Sequence, residues 1–99
     1  LDGEYKKWYF NGQLWEACKY INGVQDGEYK RWHSNGNLEI HCGYVQGKIE
    51  GEYNEWYKNG QLKKNCNYVN GGREGYYKHF SMYGKLQEDC QYVKGKKEG

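Results

Sequence analysis

The sequence predicts an all-β protein: a single-layer antiparallel meander of four 24-residue β-hairpin repeats, forming an elongated and twisted repeat array. Three observations predict this fold. The chain repeats itself every 24 residues without a gap, 15 of its 99 residues are glycine, and Asn-Gly pairs recur at one phase of the repeat. Frequent glycine disfavours helix, and Asn-Gly between apolar runs is a strong hairpin signal.

The repeats form one array over residues 1–99. They cover residues 2–25, 26–49, 50–73 and 74–97, and residues 98–99 begin a fifth repeat. Seven positions hold the same residue in all four repeats, which chance cannot produce. In the first repeat these positions are Gly3, Tyr5, Gly12, Leu14, Cys18, Tyr20 and Gly23.

The apolar residues of this chain are mainly aromatic. Leu, Ile, Val and Phe supply only 14 of 99 residues, whereas Tyr supplies 12 and Trp 4, with a net charge of +2. Such a chain cannot build an aliphatic core, so we expect no conventional small globular enzyme. It has no apolar run of about 18 residues that could span a membrane. Because it begins with Leu1, we expect a processed or trimmed piece of a longer chain.

Each repeat contains two candidate turns. The first is Asn11-Gly12 in repeat 1, with Asn-Gly again in repeats 2 and 3 and Tyr83-Gly84 in repeat 4. A type I′ turn needs a positive φ at both central residues, which Asn and Gly tolerate best. We therefore expect a two-residue type I′ turn there. The second connection, over residues 22–27, is expected to be a polar loop of about four residues.

Register can be counted outward from the Asn-Gly turn. The count pairs Cys18 with Tyr5 and Tyr20 with Gly3, and it places Leu14 on the same face, because directly opposed residues share a face. A four-residue second loop would pair Tyr20 with the first tyrosine of the next repeat. The resulting tyrosine stripe is the predicted partner-binding surface: Tyr5, Tyr20, Tyr29, Tyr44, Tyr53, Tyr68, Tyr77 and Tyr92.

A second aromatic row is predicted on the opposite face, unless a β-bulge moves it. It consists of Trp8, Trp32, Trp56 and Phe80, and it shares that face with Ile21 and the valines. The remaining repeated residues are expected to be structural. They are Cys18, Cys42, Cys66, Cys90, Leu14, Leu38, Leu62, Leu86, Gly12, Gly36, Gly60 and Gly84.

The four cysteines are expected to be buried free thiols. Equivalent residues of successive hairpins lie two strands apart, about 9.6 Å, whereas a disulfide needs Cα atoms within about 7 Å. There is no C-x-x-C pair, so no metal site is predicted either. Free thiols favour a reducing, cytoplasmic compartment, and for a viral protein the host cytoplasm or the virion. Disulfide pairing between two chains is the alternative.

No catalytic or cofactor site is predicted. His33, His41 and His79 fall at three different phases of the repeat, and the chain has only two serines and no threonine. No arrangement of nucleophile and base is visible. Nucleic acid is not an expected partner, since only Lys94, Lys96 and Lys97 approach a basic cluster. We therefore expect no enzyme and no cofactor.

The phrase D/E-G-x-Y-x-x-W, then N-G-x-L, then Y-x-x-G, resembles the MORN repeat in its variant form, as found in the bacterial YwqK-type family. Gly3, Tyr5, Trp8, Asn11-Gly12 and Leu14 carry the match, with their counterparts over essentially the whole chain. The resemblance implies an elongated single-layer hairpin array that serves as a scaffold or interaction module. Phospholipid binding and an antitoxin-like role are also associated with such families. The repeated cysteine is not part of the general pattern.

The predicted function is a non-enzymatic repeat scaffold for protein–protein interaction or self-assembly. It would act through the tyrosine stripe and through open sheet edges, which offer unpaired backbone groups. Expected partners are another protein or a second copy, bound head-to-tail or face-to-face, and head-to-tail contacts could build filaments. The alternatives are a phospholipid or membrane-surface module, less expected because lysines alternate with acids, and an antitoxin-like partner binder.

Overall fold

The computed structural model describes residues 2–98, all of it strand, turn or extended chain. The strands are β1 Gly3–Trp8, β2 Leu14–Ile21, β3 Val24–Gln25, β4 Gly27–Trp32, β5 Leu38–Val45, β6 Lys48–Ile49, β7 Gly51–Trp56, β8 Leu62–Val69, β9 Gly72–Phe80, β10 Leu86–Val93 and β11 Lys96–Glu98. They form one sheet in the order β1-β2-β4-β5-β7-β8-β9-β10-β11, with β3 paired to β2 and β6 to β5 off this path, and every recorded pairing is antiparallel. The sheet measures 41 × 33 × 12 Å. Its 12 Å thickness is that of one layer, so the predicted single-layer meander is confirmed.

The first turn of each repeat is not the predicted type I′ turn. The Gly12 N–H donates to the Tyr9 carbonyl (3.0 Å) and the Tyr9 N–H to the Gln13 carbonyl (2.7 Å), which closes a three-residue loop. Only Gly12 has a positive φ, of 91°. Asn11 instead accepts the Gln13 N–H at its side-chain oxygen (2.9 Å). The asparagine therefore caps the turn with its side chain and need not adopt the left-handed conformation.

The type I′ turn lies at the second connection, where a four-residue loop was predicted. Asn22 has φ 52° and Gly23 φ 82°, and Ile21 pairs directly with Val24. The same turn recurs in every repeat, with Gln46, Asn70 or Lys94 before its glycine. The four-residue loop was wrong because the chain reverses immediately and continues as a short extra strand against the one it left.

The predicted pairing of Tyr5 with Cys18 and of Gly3 with Tyr20 is present. A β-bulge then shifts the register, so that Trp8 pairs with Leu14 and Trp15 is the extra residue. Because the bulge reverses the alternation of side chains, the leucine leaves the tyrosine face. The placement of Leu14 on that face was therefore wrong. The same bulge recurs directly after Leu38, Leu62 and Leu86, the other three leucines predicted on that face.

The predicted tyrosine pairing across the second connection was also wrong. Tyr20 pairs with Gln25 and Tyr68 with Arg73, because the type I′ turn shortens the connection. Tyr20 instead packs edge-to-face on Tyr5 of its own hairpin, with ring centroids 6.0 Å apart. The tyrosines therefore pair within a hairpin and not between hairpins.

The core consists of cysteine and tyrosine side chains in two clusters. Cys18, Tyr29, Ile40 and Cys42 form the first cluster. The second consists of Cys66, Tyr77 and Cys90. Partly buried tyrosines surround both clusters, and Tyr53 packs against each of them. One tyrosine therefore joins the core of the first two repeats to that of the last two.

Side chains of the first turns bond each repeat to the next one; we call these bonds the turn staples. One staple runs from the residue before the turn to a carbonyl 23 residues later: Tyr9 to Trp32 (2.6 Å), His33 to Trp56 (2.9 Å) and Tyr57 to Phe80 (2.8 Å). The other runs from the turn asparagine: Asn11 to Ser34 (3.1 Å), Asn35 to Lys58 (2.9 Å) and Asn59 to Met82 (2.9 Å). Both staples hold the hairpins in register.

Candidate interaction surfaces

The eight residues of the tyrosine stripe lie on one face, where they form the core of the sheet. Tyr29 and Tyr77 are buried, at 9% and 6% exposure, and the other six are half-buried. The rings pair edge-to-face within each hairpin, with centroids 5.7 to 6.0 Å apart. In a sheet without a covering layer, the rings bury one another. Partner binding through the stripe stays a prediction.

Two stripe tyrosines are tied to carboxylates on the same face. Tyr29 donates to Glu16 Oε2 (2.5 Å) and Tyr53 donates to Glu55 Oε1 (2.9 Å). Burial, and then these hydrogen bonds, raise the pKa of both phenols well above the ordinary value. Both hydroxyls therefore stay protonated near neutral pH and act as donors.

Cations cover parts of the tyrosine face, which the sequence analysis missed. The Arg73 guanidinium lies over the rings of Tyr77 (4.4 Å) and Tyr92 (5.2 Å), and Arg73 donates to the Tyr92 hydroxyl (2.9 Å). The Lys7 ammonium lies over Tyr5 and Trp15. These contacts use ring surface that a partner would otherwise reach. No sequence signal marked Arg73, because the same phase holds Gln25 and Ile49 in other repeats.

All four cysteines are buried free thiols in the core. Burial raises the pKa of the Cys18 and Cys66 thiols, and that of Cys42 to about 11. Thiols with raised pKa values and little access to solvent are poor nucleophiles. The alternative of a disulfide between chains would require the tyrosine rings packed around these thiols to move.

The opposite face carries Trp8, Trp32 and Trp56, and the bulge brings the leucines to it; we call it the tryptophan face. Leu14 and Trp32 line a cleft of about 410 Å³ together with Ala17 and Lys30. Ala17 and Lys30 alternate with stripe residues along their strands, which assigns the cleft to this face. A second cleft of about 220 Å³ lies between Leu38 and Trp56. Each cleft thus joins the leucine of one repeat to the tryptophan of the next.

The larger cleft has charged walls of both signs. Lys6, Lys19 and Lys30 line it, as do Glu4 and Glu28. Glu28 lies 3.7 Å from Lys30. The cleft therefore combines an aromatic and aliphatic end with charged groups of mixed sign. Within residues 2–98, no three His, Cys, Asp or Glu side chains are grouped as metal ligands would be.

A third surface follows the type I′ turns along one long edge of the sheet; we call it the valine edge. Its apolar side chains are 39% to 53% exposed: Ile21, Val24, Val45, Val69 and Val93. Lys48, Lys94 and Lys96 are exposed beside them. The described part of the chain holds no helix suited to crossing a bilayer.

Comparison with known proteins identifies the repeats. The family model described as MORN repeat variant matches residues 1–22, 25–46 and 49–70, about two thirds of the chain. No curated protein and no solved structure matches the chain. MORN repeats suggest a repeat scaffold, often for membrane or protein interaction, and the family is generally non-enzymatic. On its sequence and its hairpin fold, this chain belongs to the MORN repeat variant family.

Proposed function

We propose that this chain is a non-enzymatic scaffold that binds a partner protein along the tryptophan face. One observation carries the proposal: the same leucine–tryptophan cleft occurs between repeats 1 and 2 and again between repeats 2 and 3. Trp8 and Leu86 on this face are 59% and 53% exposed. Exposed aromatic and aliphatic groups rimmed by charges are typical of protein interaction surfaces.

The spacing of the clefts indicates the form of the partner. Equivalent positions of successive repeats lie two strands apart, about 9.6 Å. A partner segment in the polyproline II conformation advances about 3.1 Å per residue and returns every third side chain to the same side, so every third residue could enter a cleft. The mixed charges of Lys6, Lys30 and Glu28 suit a polar segment with apolar residues at that spacing. The tyrosine stripe suits this role less, because its rings pack against one another and under Arg73.

The expected result of substituting two tryptophans of this face, the exposed Trp8 and the half-buried Trp32, is loss of the partner with retention of the fold. A W8S/W32S variant and the wild-type chain are used as baits in lysate of the source cells. Because aromatic anchors carry much of the binding energy at interfaces, a genuine partner should be depleted at least about tenfold. Circular dichroism checks folding, and W8S alone is the milder variant.

V69S/V93S on the valine edge is the matched control and should retain that partner. Equal recovery of every co-purified protein with wild type and with folded W8S/W32S would refute binding at the tryptophan face. A defined one-to-one complex lost only from W8S/W32S would identify an antitoxin-like binder that uses this face.

The valine edge favours a second candidate function, contact with an anionic membrane surface. Five exposed apolar side chains in a row, beside Lys48, Lys94 and Lys96, could enter the headgroup region while the ammonium groups meet lipid phosphates. A K94E/K96E variant should then bind phosphatidylserine vesicles at least about thirtyfold more weakly than wild type in a sedimentation assay, since each of the two basic residues contributes about 1 kcal/mol. Wild type that does not sediment with these vesicles at low salt would rule this function out.

We also propose that the protein is located in a reducing compartment. It is supported by four unpaired, buried thiols, which an oxidising environment would not preserve if the sheet opened often. Self-assembly through the sheet edges is the remaining part of the proposed scaffold role.

A further inference from the structure

The tryptophan face carries two hydrogen-bond donors that the fold does not use. Trp32 and Trp56 are half-buried and lie on β4 and β7, which each have a paired strand on both sides. Within residues 2–98, no hydrogen bond uses the indole N–H of either ring. Neither N–H is a buried group without a partner, so both reach the surface. A bound partner can therefore accept a hydrogen bond from each of them.

Each of these donors stands beside an apolar cleft. Trp32 lines the cleft that also contains Leu14, and Trp56 lines the cleft that also contains Leu38. The two tryptophans hold the same phase of successive repeats. They therefore lie two strands, or about 9.6 Å, apart. An apolar recess and a hydrogen-bond donor thus recur together at one interval in the interior of the sheet.

The interval distinguishes between the regular conformations of a bound segment. A polyproline II segment returns a side chain to the same side after three residues, or about 9.3 Å. An α-helix does so after two turns, or about 10.8 Å, which misses the interval by about 1.2 Å. A β-strand does so about every 6.6 Å. A polyproline II segment also makes no internal hydrogen bonds, so its carbonyls are free to accept from the indoles.

We propose that the tryptophan face binds a proline-rich segment in the polyproline II conformation, with an apolar side chain at every third position. The apolar side chains enter the two clefts, and the carbonyls beside them accept from Trp32 and Trp56. Proline holds such a segment extended before it binds, so less conformational entropy is lost, and aromatic-lined grooves are suited to it. The inference rests on the proposed function and names the chemistry of its partner.

Charge places an acidic residue at one end of the bound segment. Three lysines and two glutamates line the first cleft. Glu28 lies 3.7 Å from Lys30, whereas the exposed Lys19 makes no ion pair within residues 2–98. The residues that line the second cleft carry no charge. An acidic side chain of the segment therefore lies at the first cleft, beside Lys19. Because the sheet twists from strand to strand, a straight segment follows it only briefly, which suffices for two clefts.

Two synthetic peptides of equal composition test the inference on the 99-residue chain. Both consist of proline and leucine with one terminal glutamate; leucine stands at every third position in one and at every fourth in the other. In nuclear magnetic resonance spectra, the first peptide should shift the indole N–H signals of Trp32 and Trp56. The Trp15 signal is the internal control and should stay in place, because that ring packs beside Tyr9 and Lys7 on the tyrosine face. By calorimetry, the second peptide should bind at least about tenfold more weakly, since a leucine then misses its cleft.

Matched variants separate the donors from the clefts. W56F keeps an apolar ring and removes one N–H, so it should bind the first peptide about fivefold more weakly. W15F removes an indole N–H from the other face and should bind as wild type does. K19E should weaken binding of this peptide and leave a version with glutamine for glutamate unaffected. Circular dichroism checks that each variant folds.

Three results would overturn the inference: indole signals that do not shift, equal affinity for the two peptides, or folded W56F that binds as tightly as W15F. None of them depends on the bait experiment with W8S/W32S. A cellular partner lost from that variant would still support protein binding at the tryptophan face, through a segment of another conformation.

Discussion

Replacement of Tyr53 by alanine is expected to lower the free energy of unfolding by about 3 kcal/mol, within the range for large aromatic core truncations. Tyr53 packs against both core clusters, so its loss weakens the junction between the first two repeats and the last two. Because stability in a repeat array is a sum of repeat and junction terms, the two halves should unfold separately. The melting temperature should fall by roughly 15 °C, as measured by circular dichroism and urea titration.

Two comparisons separate packing from hydrogen bonding at this position. Y53F keeps the ring and removes only the bond to Glu55, so it should cost about 1 kcal/mol. Y5A removes a stripe ring that packs against the first cluster alone, and it should cost less than Y53A. If Y53A and Y5A had the same effect, Tyr53 would not be the link between the clusters.

The sequence was sufficient to predict the layer, the number of hairpins and the contact of Tyr5 with Cys18. Each depends on the repeat length and on the alternation of side chains, which a gapless 24-residue period displays directly. The sequence was not sufficient to predict the turn types, because an Asn-Gly pair occurs at both turns of the first repeat and is compatible with both. Asn11 caps a three-residue loop with its side chain, whereas Asn22 adopts a positive φ in the type I′ turn. Gln46 and Lys94 share the phase of Asn22, which hid the true hairpin position.

The bulge at Trp15 could not be read from alternation, since one extra residue reverses every later side chain. This single irregularity moved the leucines to the tryptophan face and produced the clefts of the proposed site. The tyrosine stripe was predicted as a free surface because a single sheet has no second layer. In the structure, the tyrosine rings cover one another, and Arg73 covers two of them. The aromatic rings that stay partly accessible are those of the tryptophan face, such as Trp32, which lines a cleft.

Alkaline pH is expected to unfold the chain cooperatively between about pH 10 and pH 11. Burial raises the pKa values of Tyr29, Tyr53, Tyr77 and Cys66, and that of Cys42 to about 11. In the unfolded chain, the pKa of cysteine is about 8.5 and that of tyrosine is about 10. Between the two values the unfolded chain binds fewer protons, so stability falls as pH rises. The contribution of these groups to the free energy of unfolding is fully present below about pH 8. Above that pH it decreases by up to about 1.4 kcal/mol per pH unit for each group.

Several such groups titrating together would remove most of the stability of a small domain, about 5–15 kcal/mol in total, within one to two pH units. The urea midpoint measured from pH 7 to pH 11 should therefore be flat at first and then fall steeply. Y29F is the matched variant: it removes one titrating phenol and should make the decline above pH 10 shallower, by up to about 1.4 kcal/mol per pH unit. An unchanged urea midpoint up to pH 11 would mean that these hydroxyls and thiols ionise without opening the sheet, and the cysteine–tyrosine clusters would then not be the core that holds the repeats together.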